Sequence, residues 1–227
     1  MTRLPGNRRW GALGVALVLL GVILAPPVRA GAPRSVDEVW EAYQKRWAST
    51  STYEATFRQT IEISGIGGEV LSGGRFYFSR PDRMRWDYTE GDKQRVIGDG
   101  HWIWVYQPDL EQAYKIGYEA AFGSGGLVAL LADREGLSQR YALDLVGETA
   151  ATVTLRLRPK EGAGETLLLE MSADTMDLKS VVVSDPAGSM TYVEFRDIQR
   201  NGAIDAALFA FTPPDGVDII TPPAAVN

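Results

Sequence analysis

Hydrophobic and polar positions follow two different periods in this chain, and the change between them lies near residue 50. The apolar side chains of the first part recur at the spacing of one helical face: Val36, Val39, Trp40, Tyr43 and Trp47. Ser35 with Glu38 three residues later forms the pattern of a capping box, which predicts where this helix begins. From Tyr53 to Ile63 apolar and polar residues alternate instead, which predicts a long, half-buried strand.

Strand-like alternation continues through most of the remaining chain, interrupted by Gly, Pro and Asp. We predict further strands over residues 75–79, 83–88, 93–98, 101–106, 111–117, 141–148, 151–158, 165–171, 178–184 and 190–198, about eleven in all. Asp99-Gly100 is a strong hairpin turn, and the segment after it is apolar on both faces, so we expect it to be covered on both. The short connections favour an antiparallel meander that curls into a barrel or a deep half-barrel.

Residues 120–139 interrupt this meander, because they lack alternation and contain helix formers. Gly123-Ser124-Gly125-Gly126 precedes the helix formers of residues 128–132 and predicts a flexible hinge. We therefore expect a short apolar helix here, which with the first helix covers one face of the sheet.

The first thirty residues have the features of a cleaved secretory signal. Three arginines (Arg3, Arg8 and Arg9) precede the apolar run 11–25, and Val28-Arg29-Ala30 resembles a cleavage site. A retained membrane anchor is the alternative, but the run is short for a spanning helix. Arg8-Arg9 weakly suggests twin-arginine export, although ordinary secretion fits the apolar run better. We expect residues 31–227 to form one mature domain.

Charge and composition exclude several classes of function. Removing the four arginines of residues 1–30 from 23 basic residues leaves 19 against 29 acidic ones, a net charge of −10. Such a charge disfavours nucleic acids and anionic lipid surfaces as partners. The chain has no cysteine and one histidine, His101, which removes disulfides and thiolate chemistry and leaves little for metal or Ser/His chemistry. Asp87, Asp99 and His101 are poor candidates for a metal site because Asp99 is needed by its turn, so we expect no metal, no cofactor and no catalysis.

Large aromatic and sulfur-containing side chains are concentrated on alternating positions of the early strands. They are Phe57, Phe76, Phe78, Met84, Trp86, Tyr88, Trp102, Trp104 and Tyr106. One interpretation is an ordinary packed core. The other is a half-barrel whose concave face leaves a cavity for an apolar ligand. Composition does not separate the two.

Several motifs, in order along nearly the whole mature chain, resemble the LolA family of periplasmic outer-membrane lipoprotein carriers. They are Phe57-Arg58-Gln59, R-P-x-x-x-x-W-x-Y at residues 80–88, D-G-x-x-x-W-x-Y-x-P-x-x-x-Q at residues 99–112, Asn201-Gly202-Ala203-Ile204-Asp205 and F-x-F-T-P-P-x-G-V at residues 209–217. The resemblance implies a mainly β fold, an unclosed antiparallel barrel of about eleven strands with a helical lid. It also implies a monomer that carries triacylated lipoproteins from an inner-membrane lipoprotein-releasing ABC transporter to an outer-membrane lipoprotein acceptor.

The resemblance also assigns roles to particular residues. The nine side chains above would line the acyl-chain cavity, and Leu127, Val128, Leu130 and Leu131 would belong to the lid helix. Arg80 would hold the empty cavity shut by donating hydrogen bonds to backbone of the lid, near residues 127–131; the alternative is a surface arginine in a turn. Gly125-Gly126 stands where the family usually has Thr-Pro, so closure of this lid is expected to be looser.

Two questions remain open at this level. Arg75, Arg83 and Arg85 form either a basic patch that orients a docking partner or a solvated strand face. A protein of the same fold that binds a periplasmic glycolipid or senses envelope lipids is the alternative function, since a fold does not fix a ligand.

Overall fold

The computed structural model describes residues 34–65, 67–118 and 137–222. Within them lie two α-helices, two 3-10 turns and twelve strands. The helices are α1 (Val36–Ala48) and α2 (Leu137–Arg140), and the 3-10 turns span Pro108–Leu110 and Ala206–Phe209. The strands are β1 (Thr52–Glu62), β2 (Glu69–Ser79), β3 (Arg83–Glu90), β4 (Arg95–Asp99), β5 (Trp102–Gln107), β6 (Gln112–Gly117), β7 (Tyr141–Glu148), β8 (Thr152–Pro159), β9 (Thr166–Ser172), β10 (Leu178–Ser184), β11 (Met190–Arg200) and β12 (Asp218–Ile220).

All twelve strands belong to one unclosed sheet with the order β12-β6-β5-β4-β3-β2-β1-β11-β10-β9-β8-β7. Its pairs are antiparallel except β12, which lies parallel to β6 at one edge. The mainly β, unclosed fold is therefore confirmed. Buried side chains from both halves of the sheet, such as Trp86 and Leu155, belong to one cluster, so the sheet curves around a common apolar interior.

Helix α1 begins where the sequence predicts. Ser35 Oγ accepts a hydrogen bond from the Glu38 amide at 3.2 Å, and the Ser35 amide donates to Glu38 Oε2 at 2.7 Å. This capping box satisfies two backbone donors at the helix start. The buried side of α1 carries Val39, Trp40 and Tyr43, which join the cluster on the concave face of the sheet.

Strand β12 was not among the predicted strands. Only three residues pair with β6, and the Asp218 amide donates to the Glu111 carbonyl at 2.8 Å. A strand this short shows no alternation that a sequence pattern detects. Strand β2 also begins earlier than predicted, at Glu69. The sequence pattern missed its first half because these residues are mostly exposed and rich in glycine, so that apolar and polar positions do not alternate. The predicted lid residues Leu127, Val128, Leu130 and Leu131 lie outside the described residues.

Candidate functional site

The concave face of the sheet carries the larger of two clusters of buried apolar side chains in the described part of the chain. In β1, β2 and β3 the buried side chains Phe57, Phe76, Phe78, Met84 and Trp86 point to it, and Tyr88 packs against them. The rings of Phe76 and Trp86 are 4.5 Å apart, and those of Phe57 and Trp86 meet edge to face at 4.8 Å. The structure thus brings these six predicted residues together; that they line an acyl-chain cavity stays a prediction.

The three aromatic residues of β5 lie on the opposite, convex face. Ile103 faces the interior, so alternation turns Trp102, Trp104 and Tyr106 away from it. Trp104 is buried there with Ile97 and Ala113 beneath Phe211, whose ring is 5.4 Å away, and Tyr106 lies 5.3 Å from the same ring. Trp102 is 40% exposed, with the Lys115 ammonium 4.1 Å from its ring centroid. The assignment of these three residues to the cavity is corrected accordingly.

Helix α1 packs closely onto one end of the concave face. Trp47 lies 4.7 Å from Phe78 and 6.0 Å from Tyr53, ring to ring. The space left beside Tyr43 and Phe195 is about 20 Å³, room for about one water molecule. This end of the interior therefore accepts no acyl chain unless α1 moves.

Arg80 fixes the C-terminal end of α1. Its Nε donates to the carbonyl of Thr50 at 2.7 Å and its second terminal nitrogen donates to the carbonyl of Trp47 at 2.5 Å. The last carbonyls of a helix lack partners inside the helix, which suits an arginine. These two bonds of Arg80 thus go to the end of α1. Residues 127–131, where its bonds to the lid are expected, lie outside the described residues.

A second set of contacts, which the sequence did not indicate, holds the same end of α1 from the other side. Asp177 accepts from Arg46 through both carboxylate oxygens at 3.1 Å and forms an ion pair with Arg200 at 3.1 Å. Asn201 accepts from the Ser51 amide at 2.7 Å and donates to the Ser49 carbonyl at 3.1 Å. The Asn201-Gly202 dipeptide, with Asn201 at a positive φ of 57°, is the one local signal that marked this turn.

The other end of the concave face lies near the β1–β2 hairpin and is more open. Ile63 and Val70 are 41% and 46% exposed. Between this end and the aromatic cluster, Gln59 Oε1 accepts from Tyr88 Oη at 2.9 Å and from Ser72 Oγ at 3.4 Å. Burial raises the pKa of Tyr88 to about 12, so its hydroxyl remains a donor at neutral pH.

The arginines beside Arg80 are engaged within the chain. Arg85 donates to Asp87 at 2.8 Å and to the Leu208 carbonyl at 2.8 Å. Arg83 lies 5.4 Å from the Phe209 ring centroid, and Arg75 pairs with Glu54 at 3.4 Å. Arg83 and Arg85 therefore hold the C-terminal segment on the convex face. The three arginines do not form a free basic patch.

The described residues contain no cluster of three or more His, Asp or Glu side chains that would hold a metal ion. One carboxylate is unusual: Glu165 Oε2 is buried and accepts no hydrogen bond from any described residue. Burial, together with the nearby charge of Asp185, raises the pKa of Glu165. What this arrangement offers chemically is a large apolar surface with a few polar groups.

An unclosed, almost wholly antiparallel sheet with a helix over its apolar concave face defines the class of half-barrel proteins with an apolar interior. The family comparison is more specific. This chain belongs to the LolA family, described as outer membrane lipoprotein carrier protein LolA, which matches residues 48–212.

Individual relatives agree with the family match over most of their length. The outer-membrane lipoprotein carrier protein of Chromobacterium violaceum is 31% identical over 204 residues, which cover 89% of this chain and 98% of the relative. That of Nitrosomonas europaea is 30% identical over 206 residues, covering 90% and 96%. A solved structure of an uncharacterized conserved protein from Thermus thermophilus gives a TM-score of 0.54 at 14% identity, covering 83% of this chain and 100% of that one. At this identity the similarity supports the fold alone.

Proposed function

We propose that this protein is a periplasmic chaperone that binds the acyl chains of lipoproteins released from the inner membrane and delivers them to an acceptor on the outer membrane. Family membership and the carrier names of the full-length relatives support this function. The structural observation that carries it is the concave face, where the apolar side chains of β1, β2 and β3 form one continuous cluster and Ile63 and Val70 at the hairpin end are exposed.

The physical need for such a surface follows from the cargo. Exposing three acyl chains of about fifteen methylenes each to water costs roughly 35 kcal/mol, at about 0.8 kcal/mol per methylene. A lipoprotein therefore does not cross an aqueous compartment alone. A carrier that bound the chains with all of this free energy would never release them, so binding is loose and hand-over occurs by contact between carrier and acceptor.

In this function α1 competes with the cargo. Its buried side occupies one end of the concave face, and Arg80, Asp177 and Asn201 hold its C-terminal end there. Loading requires that part of this packing opens, and delivery restores it. The regained packing then contributes to the free energy of release.

Localisation and partners complete the proposal. Residues 1–30 are a cleaved signal peptide, residues 31–227 are the mature carrier, and no cofactor takes part. An inner-membrane ABC transporter supplies the triacylated lipoprotein and an outer-membrane acceptor receives it. No helix in the described part of the chain is both long and apolar enough to span a membrane.

Native mass spectrometry of the protein purified from its own periplasm tests the function directly. We expect a fraction of the carrier to be bound to one lipoprotein, and N-terminal sequencing of the carrier to begin near residue 31. A co-purified free glycolipid in place of lipoprotein would support the alternative ligand and contradict the proposal.

A further inference from the structure

Three polar side chains meet at one point of the otherwise apolar concave face. They come from adjacent strands: Gln59 from β1, Ser72 from β2 and Tyr88 from β3. In the strand register Gln59 lies directly opposite Ser72, and Tyr88 lies opposite Gly74. The two hydroxyls both donate to Gln59 Oε1, at 2.9 Å from Tyr88 and 3.4 Å from Ser72. We call these three residues the polar ledge.

The polar ledge separates two different apolar regions. On the side of α1 lie Phe57 and Trp86, and the Phe57 ring meets the Tyr88 ring edge to face at 5.0 Å. On the side of the β1–β2 hairpin lie Ile61 and Val70, which face each other across the two strands. The ledge is half-buried, so it stands at the boundary between the buried and the exposed parts of the concave face.

The hydrogen bonds of the ledge leave one group free. Both hydroxyls orient the amide oxygen of Gln59, while its amide nitrogen Nε2 makes no hydrogen bond to any described residue. A primary amide carries two N–H donors, and covering them with apolar groups costs free energy unless an acceptor arrives as well. A ligand that covers the ledge is therefore favoured if it brings an acceptor to Nε2.

The diacylglyceryl group of a lipoprotein brings such an acceptor. In a diacylglyceryl group the ester carbonyls lie at the junction between the apolar tails and the polar remainder of the molecule. The concave face has a similar order: buried aromatic and apolar side chains on the α1 side, the polar ledge in the middle, and beyond it the solvent-exposed hairpin end at Ile63 and Val70. Once α1 has moved to admit them, tails that follow the apolar region past Phe57 and Trp86 place their ester carbonyls at the level of Gln59.

We propose that Gln59 Nε2 donates a hydrogen bond to an ester carbonyl of the cargo's diacylglyceryl group, and that Ser72 and Tyr88 position the amide for this contact. This inference rests on the proposed function and adds to it the chemical group that is recognised. Gln59 then recognises fully inserted cargo, because the hydrogen bond forms only when the tails are fully inserted. The carrier accordingly discriminates acyl esters from alkyl ethers with the same tails.

The test compares two synthetic lipopeptides that differ only in this acceptor. One carries a dipalmitoylglyceryl cysteine and the other a dihexadecylglyceryl ether cysteine, each on the same soluble peptide with a free N-terminus. For the wild-type protein we expect the ester to bind roughly three- to tenfold more tightly, the fold-change of about one neutral hydrogen bond. Gln59→Met, which keeps the length of the side chain, should bring this ratio close to one, because the ester loses its hydrogen bond and the ether no longer covers an unpaired amide.

Two further variants separate recognition from structural damage. Gln199→Leu removes an exposed glutamine near the C-terminal end of β11 and should leave the ratio unchanged. Tyr88→Phe keeps the ring packing but frees the Gln59 amide, and should lower the ratio without abolishing binding. A wild-type protein that binds ester and ether equally overturns the polar-ledge inference while the proposed function stands. A wild-type protein that binds neither lipopeptide contradicts the proposed function and the inference with it.

Discussion

Arg80 contacts Trp47 in two ways at once: it donates a hydrogen bond to the Trp47 carbonyl at 2.5 Å, and its guanidinium carbon lies 5.8 Å from the centroid of the Trp47 indole. Because Trp47 also stacks on Phe78, one arginine connects the end of α1, the turn after β2 and the aromatic cluster. The position of α1 over the concave face therefore depends on a side chain thirty-three residues away in the sequence.

Arg80→Leu should loosen the end of α1. The variant loses two charge-assisted hydrogen bonds at a partly exposed site, so we expect a loss of about 1 to 3 kcal/mol in the free energy of unfolding. Arg80→Lys should recover little of it, because one ammonium does not reproduce two bonds from a planar fork. Urea unfolding measures the loss, and faster amide hydrogen exchange in α1 locates it. Arg75→Leu, which removes an exposed ion pair on β2, the strand that Arg80 follows, is the control and should cost less than about 0.5 kcal/mol.

The same variant should affect the two steps of transport unequally. If regained packing of α1 helps to expel the cargo, Arg80→Leu should load lipoprotein normally and pass it on poorly. A two-step transfer assay, with loading and hand-over measured separately, checks this. Normal hand-over by Arg80→Leu would show that the Arg80 contacts serve stability alone.

Trp86 and Trp104 lie on opposite faces of the sheet, which gives a direct test of where the acyl chains bind. A lipopeptide with brominated acyl chains should quench tryptophan fluorescence by contact. Trp86→Phe should reduce the quenched amplitude, because it removes a fluorophore on the concave face. Trp104→Phe should leave the amplitude unchanged. The reverse result would place the acyl chains on the convex face and contradict the proposed site.

Alternation along the strands predicts that side chains divide into two faces, but it does not tell which face is the interior. In β3 the larger side chains, Met84 and Trp86, face the interior, whereas in β5 Ile103 faces it and Trp104 does not. The reason is the C-terminal segment, which brings Phe211 over the convex side of β5. The sequence pattern did show that β5 is apolar on both faces. Ile103 and Trp104 are covered on opposite faces as expected, whereas Trp102 is 40% exposed.

Sequence signals within a few residues predicted local structure, but they did not predict contacts between residues far apart in the chain. The capping box of Ser35 and Glu38 formed as expected because both residues lie in one helical turn. The contact of Arg46 with Asp177 joins residues 131 positions apart, which no spacing rule indicates. The bonds of Arg80 to Thr50 and Trp47 at the end of α1 span thirty or more residues, and only the folded structure identifies them. Its expected bonds to the lid stay a prediction.

Phe211→Ala should detach the C-terminal segment without unfolding the sheet. Phe211 contacts both Trp104 and Tyr106, and β12 follows it by seven residues. We expect a loss of about 1 to 3 kcal/mol, since the ring is only partly buried. Hydrogen exchange should show lost protection at residues 218–220 and unchanged protection in β8 and β9. Leu110→Ala, at an exposed site, is the matched control and should change neither region. Uniform loss of protection would instead indicate that the segment is part of the global folding unit.

Tyr88 should make stability depend on pH in the alkaline range. Its pKa is about 12 in the folded protein against 10.0 in the unfolded chain, so the folded state keeps a proton that the unfolded state loses. The contribution is fully present below pH 10 and is lost as the pH rises from 10 to about 12. Between pH 9 and 11 we expect a loss of roughly 1 to 1.5 kcal/mol. Urea unfolding at pH 9 and pH 11 measures this loss of free energy. In Tyr88→Phe the loss should be smaller than in the wild type by this amount, whereas Tyr192→Phe, on the convex face, should behave as wild type.

Glu165 should be a source of instability at neutral pH. One of its carboxylate oxygens is buried without a hydrogen bond from the described residues, and burial with the charge of Asp185 raises its pKa in the folded protein. A raised pKa means that the folded state binds the proton more tightly than the unfolded state does. Protonation of Glu165 therefore stabilises the fold. This contribution is fully present below pH 4.5, the pKa in the unfolded chain, and is lost as the pH rises through the higher pKa of the folded protein.

Glu165→Gln removes this charge and keeps the shape of the side chain, so it should raise the melting temperature at pH 7 by about 1 to 3 °C. The gain is modest because the side chain is partly exposed to solvent, which screens the charge. At pH 4 and below, where the wild-type carboxyl is protonated as well, the two proteins should melt closer together. Glu161→Gln, in the exposed turn before β9, controls for a general effect of net charge and should melt as wild type at both pH values. An equal gain for Glu165→Gln at pH 7 and pH 4 would show that the amide improves packing, and that ionisation of Glu165 does not strain the fold.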